Sequence, residues 1–323
     1  MSGVRGRPTL TTGVLALALA LAGCGGAGTG STSGGAQPRA QDFPAADSPQ
    51  LARLIRAPAS SRPDLRPSVA VIAPGTARFG FGLFSPSGRQ VQTPAAVYVA
   101  SGSGTDVRGP FPARLESLAV QPRFRSRTTA QDPDAAKSVY VARVPFPSKG
   151  SYVAFAVARP AGGLVASSAA PVQVGAPGPI PVGARAPRIH TPTVAGVHGD
   201  VSRIDTRVPP DDMHSVDFAN VIGHRPVVLA FATPQLCQSR VCGPVVDEVE
   251  QLKSQFGDRA AFIHMEVYRN NRIQDGVRPQ LSAFGLHNEP WVFVIDRRGR
   301  VAARIEGATS VAEIRAAIER GLH

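Results

Sequence analysis

The sequence predicts a multi-domain chain in which an all-β sandwich is followed by an α/β domain. The chain of 323 residues is long enough for two domains at roughly 100 to 200 residues each. Between residues 67 and 174 short apolar stretches alternate with turn formers, whereas beyond residue 200 strand-length apolar runs alternate with helical periodicity. A Pro/Gly-rich stretch beginning Gly175-Ala176-Pro177-Gly178-Pro179-Ile180-Pro181 separates the two patterns. With 18% charged and 43% apolar residues the composition is that of a folded protein, and 33 Gly and 30 Pro argue against long helical bundles.

The N-terminus carries the features of an export signal over residues 1–23. Arg5 and Arg7 form a positive region, Val14 to Leu21 an apolar core, and small residues follow. That core is shorter than the roughly 20 residues needed to span a bilayer. Leu21-Ala22-Gly23-Cys24 resembles the bacterial lipobox, which implies lipidation of Cys24 and anchoring at the extracytoplasmic face of the cell membrane. An ordinary signal peptide with an incidental Cys is the alternative. The net charge of +12 suits an anionic membrane surface. Its Arg residues are scattered rather than clustered on one helix or interleaved with aromatics, so no nucleic-acid partner is expected.

Residues 24–62 open on a Gly/Ser-rich run and read as a flexible tether. Residues 63–175 contain seven candidate strands: Ser68 to Ile72, Arg78 to Phe84, Ala95 to Ala100, Leu115 to Val120, Ser138 to Val144, Tyr152 to Ala158 and Ala170 to Val174. Turns such as Ser85-Pro86-Ser87-Gly88 and Pro147-Ser148-Lys149-Gly150 punctuate them, the pattern of an immunoglobulin-like sandwich. This stretch has no Cys and no His, which argues against metal or catalytic chemistry and leaves binding or spacing. Residues 176–200 read as a Pro/Gly linker.

In residues 201–323 the order β, α, β, α, β, β, α is expected. Pro226 to Ala232 suits a strand buried on both faces. Val245, Val246, Val249, Leu252 and Phe256 mark one face of an amphipathic helix over Val241 to Phe256. Ala260 to Val267 reads as a strand, Pro279 to Phe284 as a short helix, and Trp291 to Asp296 with Val301 to Glu306 as a hairpin. Its tip, Arg297-Arg298-Gly299-Arg300, reads as solvated rather than as a phosphate site. Ser310 with Glu313 forms a capping box at the last helix.

Three Cys is an odd number for an exported chain, but lipidation of Cys24 leaves Cys237 and Cys242 as one pair. Outside the cytoplasm such a pair can be oxidised. Val227 to Thr233 before the pair, Pro244 after it, and Glu289-Pro290-Trp291 before the hairpin together resemble the thioredoxin fold. The likeness is to the thioredoxin-like lipoproteins of the TlpA and SCO kind and covers the C-terminal third of the chain. It implies a cis peptide at Pro290, beside which a substrate chain adds as a strand along the edge to which Glu289 contributes. It also implies that Pro244 kinks the helix.

The residues themselves suggest the chemistry. Cys237 falls in the loop after the strand and Cys242 at the start of the helix, where free N–H groups and the helix dipole favour a thiolate. Arg240 would add to that effect, with Cys237 as attacking and Cys242 as resolving thiol. Glu289 would oppose it by like-charge repulsion. The C-x4-C spacing matches neither the C-x2-C of thioredoxins nor the C-x3-C of SCO proteins, and Ala230 stands where many thioredoxins place a buried Asp. A specialised oxidoreductase acting on protein thiols or disulfides of the envelope therefore fits better than a general reductase. Two readings stay open beside it: a structural disulfide, and a non-catalytic binding protein for copper or an envelope partner. Met213-His214, His264-Met265 and His287 would be the added copper ligands, each of which is more often an ordinary core or surface residue. Trp291 reads as core. No cofactor and no metal are expected.

Overall fold

The computed structural model describes residues 1–4 and 37–323. The apolar signal core and Cys24 lie outside the described residues. Residues 37–323 form one compact unit, and no helix among the described residues is long and apolar enough to cross a membrane.

The first half of that unit is all-β apart from short helices. Strands β1 (Asp64–Pro67), β2 (Gly75–Phe84), β3 (Ala95–Ser101), β4 (Arg108–Ser117), β5 (Ser138–Phe146), β6 (Gly150–Ala158), β7 (Val165–Ala166) and β8 (Ala170–Val174) join in the order β1-β2-β5-β4-β3-β6-β7, with β8 also on β6. Every pairing is antiparallel. The path is continuous because β4 changes partner at Ala113: Arg108 to Ala113 follows β3, and Ala113 to Ser117 follows β5. A parallel bridge from Ile72 to Val174 brings the two ends of the sheet together. Phe79, Phe81, Leu83, Val97, Tyr140, Val144, Ala154 and Val172 share one core, so the inward faces close on each other.

Two of the expected strands need correction. Ser68 to Ile72 is not a strand and contributes only the Ile72 bridge. The strand expected over Leu115 to Val120 begins at Arg108, where Gly109, Pro110 and Pro112 disguise it as a turn.

The tether expected over 24–62 is corrected within residues 37–62. Helix α1 (Pro49–Arg56) begins with Ser48 accepting from Leu51 N–H at 3.2 Å and Pro49 at its first position. Its Leu51 packs with Phe43 against Ala96, Tyr98 and Phe155 on the outer face of the sheet. The Tyr98 hydroxyl donates to the Pro44 carbonyl at 2.6 Å.

The second half is a sheet of order β10-β9-β11-β12, built from β9 (Val227–Phe231), β10 (Ala261–Met265), β11 (Trp291–Ile295) and β12 (Val301–Glu306). β10 is parallel to β9, whereas β11 is antiparallel to both β9 and β12. β9 is buried throughout, as its unbroken apolar run requires. Helices α4 (Cys242–Phe256) and α6 (Val311–Gly321) bury Val245, Val249, Leu252, Ile314 and Ile318 on one face, while α3 (Phe218–Val221) and α5 (Pro279–Phe284) place Phe218 and Phe284 on the other. At α6 only half of the expected capping box forms. Ser310 Oγ accepts from Glu313 N–H, but the Glu313 carboxylate turns away to Arg78 at 2.6 Å.

Residues 176–200 are not a free linker. Ile180 N–H donates to the Phe284 carbonyl, Gly183 N–H to Val301 and Ala186 N–H to Gly299, while Ala186 and Ile189 join the α3/α5 core. The segment is thereby a docked strap, and Arg300 of the hairpin tip, exposed like Arg297 and Arg298 as expected, holds it by donating to the Gly183 carbonyl at 2.8 Å. The two halves also meet directly. Both oxygens of Glu306 accept from Ala70 and Val71 N–H, at 2.8 and 3.0 Å. Gly307 there has φ +73, and a Cβ on it would run into the Ser68 carbonyl. Arg207, 4% exposed, pairs with Asp247 and Glu250 of α4 at 3.0 and 2.5 Å and donates to the Phe124 carbonyl.

Candidate functional site

The chain leaves β9 through Ala232, Thr233 and Pro234 and reaches Cys237 before α4 starts at Cys242. The two Cys are joined in a disulfide with their Cα atoms 6.0 Å apart. Cys242 is fully buried, and Cys237 is 5% exposed beside exposed Gln238, Ser239 and Arg240. Any approach to the pair is therefore through Cys237. The loop turns at Arg240, whose φ of +59 is left-handed. Val241 offers α4 no side-chain cap, so the N–H groups of the first turn are not taken by a capping side chain. Pro244 sits in that first turn, where a missing N–H costs no helical bond, and α4 runs on unbroken to Phe256.

The Glu289–Pro290 peptide is cis. Pro290 leads into β11, which pairs with β9, so β-sheet register brings this loop to the cysteine loop. A Glu289 carboxylate oxygen lies within 4.8 Å of both sulfur ligand atoms. Glu289 is raised to about 7, first by burial and then by the charge of Glu266, against hydrogen bonding from Thr233. Its Oε2 is buried with no hydrogen-bond partner. Burial likewise raises Glu266 to about 7, and Thr206 donates to it from both N–H and hydroxyl. Near neutral pH, Glu289 beside the pair can thus accept or supply a proton. Like-charge repulsion, the effect expected from sequence, is reduced to the extent that it is protonated.

The Arg240 side chain is paired away from the sulfurs. Its guanidinium reaches Asp132 at 3.3 Å, and no hydrogen bond from it to either sulfur occurs among the described residues. Cys237 Sγ instead contacts Ser239 Oγ at 3.2 Å. Trp291 is core, 3% exposed and donating to Asn288 at 2.8 Å. His287 is exposed, whereas His214 and His264, far apart in sequence, stand with ring centroids 5.1 Å apart. Sequence reasoning missed Glu266 and the carboxylates around these two His. The available signal was a His and a Glu, at 264 and 266, within the otherwise apolar stretch read as a strand over Ala260 to Val267.

No protein-family model matches the chain, and no curated protein matches it. Among solved structures it is similar to a Chlorobium tepidum protein assigned as the thiol:disulfide interchange protein DsbE, at 14% identity and a TM-score of 0.30, covering 45% of this chain and 99% of that one. A second Chlorobium tepidum structure, a thiol:disulfide interchange protein of the thioredoxin family, is 18% identical with a TM-score of 0.28, covering 46% of this chain and 97% of that one. Domains 4 and 5 of the S-layer protein SbsC match at 18% identity and a TM-score of 0.15, over 35% of this chain and 46% of that one. At TM-scores this low the likenesses add no weight to the strand order and the site geometry.

Proposed function

We propose that the chain is a lipid-anchored, extracytoplasmic thiol:disulfide oxidoreductase acting on protein thiols or disulfides of the envelope. The observation that carries this reading is the Cys237–Cys242 disulfide at the start of α4, with Glu289 and the cis Pro290 beside it. The sheet order β10-β9-β11-β12, with its parallel pair and antiparallel hairpin, supports a thioredoxin-like domain of the TlpA or SCO kind. The succession β1-β2-β5-β4 and β3-β6-β8, with β4 switching partner, supports an immunoglobulin-like sandwich before it. Anchoring through Cys24 rests on the Leu21-Ala22-Gly23-Cys24 pattern.

In the reducing direction, the Cys237 thiolate attacks a substrate disulfide and forms a mixed disulfide, releasing one substrate thiolate. Cys242 then passes its proton to Glu289 and attacks Cys237 Sγ, expelling the second substrate thiolate. Two electrons leave the protein dithiol as its disulfide forms, and the two released thiolates take up the two protons. The oxidising direction is the reverse. The exposure of Cys237 over Cys242 supports Cys237 as the attacking thiol.

The near-complete burial of both sulfurs favours a second reading, a structural disulfide in a non-catalytic binding protein. Turnover in an insulin reduction assay with a thiol donor, lost in Cys237→Ser and Cys242→Ser, is expected of the oxidoreductase. No turnover in either the reducing or the oxidising direction would leave the second reading.

A further inference from the structure

Below the cysteine loop lies a group of side chains that the proposed exchange does not use. Asp205, Asp211 and His214 come from the segment before α3 and His264 from β10. Asp205 is 4%, Asp211 6%, His214 1% and His264 0% exposed. One ligand atom of each lies within 4.8 Å of the others. His214 Nε2 stands 3.5 Å from Asp205 Oδ2 and 3.5 Å from Asp211 Oδ1. His264 Nδ1 stands 2.8 Å from Asp211 Oδ2 and 3.9 Å from Asp205 Oδ1. Four ligands arranged tetrahedrally about zinc, at about 2.0 to 2.2 Å, are roughly 3.4 Å from one another.

Two further features point to a cation. His214 Nε2 is buried, faces both carboxylates and has no hydrogen-bond partner. His264 Nε2 lies 3.0 Å from the Ala232 carbonyl, the outer-shell bond that orients a metal-bound imidazole and turns its other nitrogen inward. The carboxylates are oriented too. Asp205 accepts from Arg207 and Asp211 N–H, both at 2.7 Å, and Asp211 from Met213 N–H at 2.9 Å.

We propose that Asp205, Asp211, His214 and His264 form a closed structural site for one divalent cation of the zinc type. Two carboxylates would balance the dication and two neutral imidazoles complete the shell, so the buried assembly carries no net charge. With all four positions supplied by protein, the site is structural rather than catalytic. It would tie the segment carrying Arg207, which bridges the two halves of the chain, to β10 and to the end of β9 just before Thr233. The competing occupant is a proton on His264, which burial disfavours but Asp211, Asp205 and Glu266 favour.

The two occupants are separated by metal analysis of the full chain purified without added chelator, followed by chelation and titration with Zn2+ or Co2+. The proposal expects one equivalent of metal per chain, a melting temperature that falls on chelation and recovers with Zn2+, and the visible bands of tetrahedral cobalt. A Cys237→Ser/Cys242→Ser chain should retain all three, and His214→Gln should weaken binding by more than about tenfold. Wild-type chain that is folded but metal-free, with no response to either ion, would overturn the proposal whatever the variants do. So would cobalt bands that vanish in the Cys double variant.

Discussion

The main-chain carbonyl of Arg240, inside the loop closed by Cys237 and Cys242, accepts a hydrogen bond from Ala136 N–H at 3.1 Å. The β half of the chain thereby grips the cysteine loop of the α/β half. Val241 continues the contact in an apolar cluster with Leu118, Val139, Val141 and Ala308. Asp132 holds the Arg240 side chain, and Thr129 of α2 (Arg127–Gln131) covers Gly243.

Loosening this grip should expose the disulfide. A Cβ at Gly243 would stand 2.8 Å from Thr129 Oγ1, so Gly243→Val must displace the Thr129 side chain of α2. A stability loss of about 1 to 3 kcal/mol is expected from such overpacking. Reduction of the disulfide by dithiothreitol should accelerate severalfold. An unchanged reduction rate in a destabilised Gly243→Val chain would show that α2 does not limit access.

Cys242→Ser should leave Cys237 able to attack but not to be released. Mixed disulfides with protein substrates are expected to accumulate on Cys237 and to disappear on adding reductant, visible on a non-reducing gel. In the wild type, reducing the short Cys237–Cys242 loop should cost about 2 kcal/mol of stability by the chain-entropy relation. Urea unfolding with and without reductant measures it.

Glu289→Gln should change two pH profiles. Exchange by the wild type is expected to rise as Glu289 ionises through about 7 and can take the Cys242 proton. The variant should lose that inflection, with a rate deficit on the order of 100-fold above it. For stability the sign is opposite. The folded-state value lies above the usual 4.5, so the folded chain binds more protons and stability falls between about 4.5 and 7. Urea midpoints of Glu289→Gln should show a shallower fall, the remainder belonging to groups such as Glu266.

Glu248, on α4, is fully buried, and neither carboxylate oxygen has a hydrogen-bond partner. Burial holds its pKa well above the ordinary value, with Asp247, Glu313 and Glu116 adding to the shift. An unpartnered buried polar group of this kind costs about 1 to 3 kcal/mol. Glu248→Met, similar in length, should therefore raise the urea midpoint without altering exchange activity. A lowered midpoint would mean that the carboxyl has a stabilising partner.

Much of the α/β half was legible because burial on both faces leaves its mark on every residue of a strand. Val227 to Phe231 could hardly be anything else, and the turn before Val301 to Glu306 was spelled out by Gly299. The helix expected over Val241 to Phe256 from the spacing of Val245, Val249 and Leu252 is α4, one residue shorter at its start. In contrast, nothing in Gly109-Pro110-Phe111-Pro112 marked a strand, because proline in a strand is tolerated only where the partner strand does not need its N–H. The strap from residue 176 looked like a linker because Pro/Gly composition reads the same whether an extended segment is free or docked.

Local periodicity marked which stretches form strands and helices, and the count of three cysteines with Cys24 set aside pointed to Cys237 and Cys242 as one pair. The three-dimensional packing alone decided which groups surround that pair. Glu289 meets the sulfurs only through the pairing of β11 with β9, Arg240 is drawn to Asp132 of the other half, and His214 meets His264 across 50 residues of chain. Secondary structure reflects short-range preference and burial, which each segment carries in its own residues. The charge, protonation and access of a buried site depend on neighbours distant in the chain, and these are set only when the segments close on one another.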